Sequence, residues 1–112
     1  MSINELIKFK SLPSFFTSNF LILKILIKFC KKNKLPLLIE TTSNQVNQFG
    51  GYTNLTPKKF IKKILLDLKK EKFNRKLFFY GGDHLGPLPW QKFGQLKSLE
   101  RSKKLIKSYI DS

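Results

Sequence analysis

The feature that most limits the fold of this chain is an alternation. Short apolar runs end in polar turns, and each is followed by a longer segment in which lysines stripe an apolar helix. "LPLLIE" (Leu35 to Glu40) and "KLFFYGG" (Lys76 to Gly82) have the length and composition of buried strands. "SLPSFFTS" (Ser11 to Ser18) reads as a further short strand, with Pro13 near its start. The resulting order is β-α-β-α-β-α. With right-handed crossovers that order builds an α/β fold on a parallel sheet.

The helices carry their own stop and start signals. Ser18 or Asn19 can cap the first, which ends near "CKKNK", where lysines suit the negative end of the helix dipole. Lys24 and Lys28 make a solvated stripe on it, and Ile22, Ile25, Leu26 and Phe29 are expected on the buried side. Thr56 followed by Pro57 is an N-cap with proline at the first helical position. Phe60, Ile61, Ile64, Leu65 and Leu68 then recur at helical spacing, with Lys58, Lys59, Lys62, Lys63, Lys69 and Lys70 outward. A last helix is expected over Gln95 to Ile110, burying Leu96, Leu99, Ile106 and Ile110.

Length and composition bound the alternatives. A chain of 112 residues, 41% of them hydrophobic, has room for one domain spanning 1–112. Its 22 basic and 7 acidic residues give a formal charge of +15, which raises nucleic acid as a partner. Against that, the only arginines are Arg75 and Arg101, and the lysines spread over helix faces instead of forming a tract. "FLILKILIKF" (Phe20 to Phe29) is interrupted by two lysines and is far short of the ~20 apolar residues that span a bilayer. The single cysteine, Cys30, excludes an internal disulfide and a cysteine-based zinc site, and it fits a reducing, cytoplasmic setting.

The residues with chemistry gather after the second and third strands, where α/β proteins place their sites. "TTSNQVNQFGGYT" (Thr41 to Thr53) follows the second strand. Glu40, Ser43, Asn44, Gln45, Asn47 and Gln48 offer donors and acceptors, and Gly50 and Gly51 allow close backbone approach. Such a loop suits a polyhydroxylated or phosphorylated small molecule, and it equally suits a long solvated connection. "GGDHLGP" follows the third strand and holds His84, the one histidine, directly after Asp83. The carboxylate can transfer a proton and the imidazole can ligate a metal, or the two can form a structural pair. Tyr52 and Trp90 can stack on a sugar ring or pack on the rim of the fold. No Walker loop, GxGxxG, GxSxG or HExxH motif is present.

"LIETTSNQVNQFGGYTNLTP" followed by "GGDHLGPLPW" closely resembles the GatZ/KbaZ family, the non-catalytic subunits of class II tagatose-1,6-bisphosphate aldolase. The resemblance covers about Leu37 to Trp90. It implies a TIM (β/α)8 barrel of which this chain supplies about the first three βα units, against ~250 residues for a whole barrel, so a truncated barrel is expected. It implies an accessory role, supporting the stability and full activity of a catalytic aldolase subunit in galactitol and N-acetylgalactosamine catabolism. By the pattern of the catalytic relatives, Asp83 would be a proton donor and His84 a ligand to zinc or another divalent metal. Ser43, Asn44, Gln45, Asn47, Gln48, Gly50 and Gly51 would meet a sugar phosphate. A metal-dependent sugar-phosphate aldolase or epimerase using Asp83 and His84 is the alternative, and a basic nucleic-acid-binding module the second. Two departures stand out: Ser18-Asn19-Phe20 replaces the usual Ala-His-Pro after the first strand, and Asn54 replaces a usual glycine.

Overall fold

The structure, a computed structural model, describes residues 12–112, so Ser11 of the expected first strand lies outside the described residues. Three strands, β1 (Ser14–Phe16), β2 (Leu37–Thr41) and β3 (Phe78–Gly82), pair in parallel in the order β1-β2-β3. The helices α1 (Phe20–Lys32), α2 (Pro57–Lys70) and α3 (Gln95–Ile110) follow them in turn. The α/β architecture and its parallel sheet are those expected from the alternation. Among the described residues no helix is long and apolar enough to cross a membrane.

Local chemistry accounts for the helix ends. Asn19 caps α1, its side-chain oxygen accepting from the N–H of Leu21 at 2.9 Å and of Ile22 at 3.4 Å. At the other end the Asn33 amide donates to the Phe29 carbonyl at 2.8 Å, and Lys34 turns the chain with a positive φ of 56°. Thr56 caps α2 by accepting from the Lys59 N–H at 3.4 Å, with Pro57 at the first helical position.

Strand alternation divides the sheet into two faces. Leu37 and Ile39 of β2, with Phe15, Phe78 and Tyr80 beside them, face the helices. They pack against Leu23, Ile27 and Cys30 of α1 and Phe60, Ile61, Ile64 and Leu68 of α2. Ser14, Phe16, Leu38, Glu40, Phe79 and Gly81 take the opposite face, and none of them is fully buried. Burial of Cys30 pushes its thiol above the usual range, so the group is an inert part of the core.

The α2 face is as expected, with its lysines outward. Two other faces are corrected. In α1 the buried stripe is Leu23, Ile27 and Cys30, with Leu26 at its edge, while Ile22, Ile25 and Phe29 are exposed. The helix has two apolar arcs on either side of the Lys24–Lys28 stripe, so the lysines alone do not say which arc meets the sheet. In α3 the buried residues are Ser98, Ser102 and Leu105, and Leu96, Leu99, Ile106 and Ile110 are exposed. There the choice is made by polar docking: the Ser98 hydroxyl donates to the Trp90 carbonyl at 2.7 Å, and the Arg101 carbonyl accepts from the Gln48 amide at 3.0 Å.

This distribution predicts a contrast between two truncations. Phe60→Ala removes a fully buried ring from the middle of the core and should lower stability by about 3–5 kcal/mol. Leu96→Ala, at a position 85% exposed, should change it by no more than about 0.5 kcal/mol. Chemical denaturation of the two variants checks this, and a large loss at Leu96 would contradict the observed facing of α3.

Candidate functional site

The ends of β2 and β3 are adjacent because the two strands pair over their whole length, from Leu37↔Phe78 to Thr41↔Gly82. One more ladder bond follows, from the Asp83 N–H to the Thr41 carbonyl at 3.0 Å. At His84 the backbone enters the left-handed region, φ 50°, and the loop turns away from the sheet. The Ser43 hydroxyl donates to the His84 carbonyl at 2.9 Å and ties the loop after β2 to the loop after β3. Between them lies a cleft of about 430 Å³ bordered by Thr42, Ser43 and Asn44 from one loop and His84, Leu88 and Gln91 from the other.

Asp83 and His84 form a contact pair, with His84 Nδ1 2.5 Å from Asp83 Oδ2. The imidazole is 82% exposed, so its Nε2 is free to meet a ligand while the carboxylate orients the ring. Among the described residues no group of three histidine, cysteine or acidic side chains is placed to hold a metal ion. Two donors that also bond each other do not make a metal centre by themselves.

The amide-rich loop is largely occupied with holding its own shape. Gln45 Oε1 accepts from the Thr42 N–H at 2.8 Å. Asn47, only 5% exposed, donates to the Ser43 carbonyl and accepts from the Phe49 N–H, both at 2.8 Å. Gln48 reaches α3, and its Oε1 is buried without a hydrogen-bond partner among the described residues. Gly50 and Gly51 have φ of 110° and 57°, and a Cβ on Gly51 would lie 2.5 Å from the Gln45 carbonyl oxygen. Of the seven loop candidates, then, Ser43 and Asn44 border the cleft, whereas Gln45, Asn47, Gln48 and the glycines do not line it. Trp90 is buried, edge-on to Phe49, and Tyr52 is exposed.

One polar cluster had no signal in the sequence. Thr41 Oγ1 lies 3.0 Å from the Tyr80 hydroxyl and 2.7 Å from that of Tyr109, and the two rings stack with centroids 5.3 Å apart. Tyr109 also donates to the Val46 carbonyl at 3.1 Å, which fastens the end of α3 to the amide-rich loop. Its position in α3 resembles any half-buried aromatic, so only the packing reveals the partnership. Burial pushes both phenols above the ordinary tyrosine range, most strongly at Tyr80, which the neighbouring Tyr109 raises further.

Two expectations follow from this geometry. Gly51→Ala combines a left-handed backbone with a backbone clash and should cost about 2–4 kcal/mol, read as a lower denaturation midpoint. A neutral effect would mean that the turn is not held as described. The tyrosine pair should also give stability that is complete below about pH 10, where an unfolded phenol keeps its proton, and is lost as pH rises further. The sign follows because the raised values leave more protons on the folded chain than on the unfolded one. Between about pH 8 and pH 11 the midpoint should therefore fall less in Tyr80→Phe than in the wild type. Equal falls would remove the pair from the account.

Comparison with known proteins agrees with the two motifs that frame the cleft. The family described as "D-tagatose-1,6-bisphosphate aldolase subunit GatZ/KbaZ-like" matches residues 4–112. The D-tagatose-1,6-bisphosphate aldolase subunit GatZ of Escherichia coli (strain SMS-3-5 / SECEC) is 41% identical over 90 residues. The same subunit from Escherichia coli O7:K1 (strain IAI39 / ExPEC) matches equally, at 41% over 90 residues. Each match covers 80% of this chain but only 21% of the relative, so the chain spans about a fifth of the length of these curated proteins. The crystal structure of a probable tagatose 6 phosphate kinase from Sinorhizobium meliloti 1021 superposes with a TM-score of 0.86 at 33% identity. That superposition covers 91% of this chain and 26% of the other. With strands, loops and both motifs matched from residue 4 to residue 112, the chain belongs to the GatZ/KbaZ-like family of D-tagatose-1,6-bisphosphate aldolase subunits.

Proposed function

We propose that the protein acts as an accessory subunit of tagatose-1,6-bisphosphate aldolase, supporting the stability and activity of a separate catalytic subunit in the cytoplasm. The observation that carries this reading is the family match across residues 4–112. The architecture is compatible with the barrel that the family implies. Strands in sequence order, helices on one face and an opposite face that no described helix covers are what three βα units of a (β/α)8 barrel require. In that reading the face bearing Leu38, Glu40 and Phe79 is the barrel interior, and the cleft after β2 and β3 lies at its catalytic end.

The cleft then offers a sugar phosphate the Asn44 amide, the Ser43 hydroxyl and the imidazole of His84, with Asp83 as a candidate proton donor. A metal-dependent aldolase or epimerase is the second reading, favoured by the Asp83–His84 contact at the end of a strand. It needs further ligands to zinc or another divalent ion than the described residues bring together.

Two substitutions separate these readings. Support of a partner depends on surface fit, whereas catalysis depends on the reacting side chains. Asp83→Asn and His84→Ala should therefore leave the catalytic subunit's activity in the co-expressed complex within about twofold of the wild-type complex, a difference under about 0.5 kcal/mol. Loss of that activity, with the complex still assembled on size-exclusion chromatography, would favour the catalytic reading. Failure of the wild-type chain to co-purify with the catalytic subunit would sink the accessory reading itself.

A further inference from the structure

Glu40, a polar candidate at the end of the strand expected over Leu35 to Glu40, lies inside β2 on the sheet face away from the helices. Its neighbours there are specific. Ser14 of β1 donates its hydroxyl to Glu40 Oε2, one row below Phe16, the direct strand partner of Glu40. On the other side the direct partner is Gly81, which contributes no side chain. A Cβ at Gly81 would lie 3.5 Å from Glu40 Oε1, so this oxygen borders the space that a side chain in β3 would occupy.

The charge environment is equally particular. Three carboxylates of the chain meet a lysine: Glu71 meets Lys28, Glu100 meets Lys104 and Asp111 meets Lys107. Glu40 meets none among the described residues. One row above it the same face continues through Asp83, because the Asp83 N–H extends the ladder to Thr41 and Asp83 lies two residues beyond Gly81. An oriented carboxylate, its Oε1 without a partner among the described residues, thus borders the room left by the absent side chain of Gly81, below the cleft.

We propose that Glu40, oriented by Ser14 and given room by Gly81, is a hydroxyl-binding group for the carbon chain of a sugar phosphate. The inference rests on the barrel reading above, in which this face is an interior. A carboxylate is an acceptor with two oxygens and several lone-pair directions, so adjacent sugar hydroxyls can donate to it together. Such O–H···O⁻ bonds are short and strong. The negative charge also sets the orientation, since a phosphate is repelled from Glu40 and the hydroxylated segment is drawn to it. Gly81 acts as a size filter, keeping open the volume into which the sugar chain fits.

The full chain is titrated with D-tagatose 6-phosphate, following saturation transfer to the sugar protons by NMR, with circular dichroism confirming the fold of each variant. Glu40→Gln keeps the shape but removes the charge and should weaken binding at least tenfold. Gly81→Leu leaves Glu40 in place and fills the space, and it should weaken binding to a similar degree, which keeps the test decisive if Glu40→Gln does not fold. Ser14→Ala should have a smaller, few-fold effect. Folded wild type that shows no transfer, or variants that bind as wild type does, would overturn the proposal. Co-purification with the catalytic subunit is scored on the same samples. Intact co-purification with Glu40-independent binding fails this inference alone, whereas Glu40-dependent binding without co-purification supports it and fails the accessory reading.

Discussion

The central strand, β2, is the element on which the rest of the structure depends. Its backbone pairs with β1 over Leu38–Glu40 on one side and with β3 over its whole length on the other. Leu37 and Ile39, both fully buried, anchor the core against α1 and α2. Leu38 and Glu40 look the other way, toward the open face. Thr41, the last residue, is fully buried and holds together Tyr80, Tyr109 and, through its carbonyl, Asp83. A strand of five residues therefore couples the hydrophobic core to both loops of the site. Disturbing its register by one residue would exchange the core face for the open face throughout.

Polar groups near the cleft divide into those that hold and those that offer. Gln45 and Asn47 spend their hydrogen bonds on the backbone of their own loop, and Gln48 spends one on α3. That internal saturation is why a loop with no strand or α-helix of its own can present Ser43 and Asn44 in a defined place. Buried amides without such partners would destabilise it by about 1–3 kcal/mol each. His84 sits at a similarly constrained point. Its carbonyl is held by Ser43 and its ring by Asp83, yet most of the imidazole faces solvent.

The high positive charge has a limited part in this arrangement. The lysines of α2 lie outward, and the ion pairs that form are exposed or half-exposed contacts such as Lys104 with Glu100, of the kind that water screens and that contribute little. Arg101, like Lys63 and Arg75, packs on an aromatic ring, and it does so on two at once. Its guanidinium packs 3.9 Å from the Phe93 ring centroid and 5.0 Å from that of Phe49, so it joins the loop after β3 to the loop after β2.

Much of the architecture was legible in the sequence because local rules carry it. Alternating apolar runs and lysine-striped segments give three parallel strands and three helices, and Asn19, Thr56 and Pro57 mark where two of the helices begin. The two motifs after β2 and β3 located the cleft, because in a parallel sheet all strands end on the same side. Side-chain facing was less legible. On α1, two apolar arcs of similar strength compete, and only contact with β2 selects Leu23, Ile27 and Cys30 over Ile22, Ile25 and Phe29. On α3 the sequence favours the leucine and isoleucine stripe, yet hydrogen bonds from Ser98 and Tyr109 to carbonyls outside the helix turn it the other way. Periodicity thus determined where elements form and in what order, since that depends on neighbours along the chain. Which faces are buried, and which polar side chains hold the site instead of lining it, depends on partners outside the element, some of them more than thirty residues away, and only the tertiary structure brings them together.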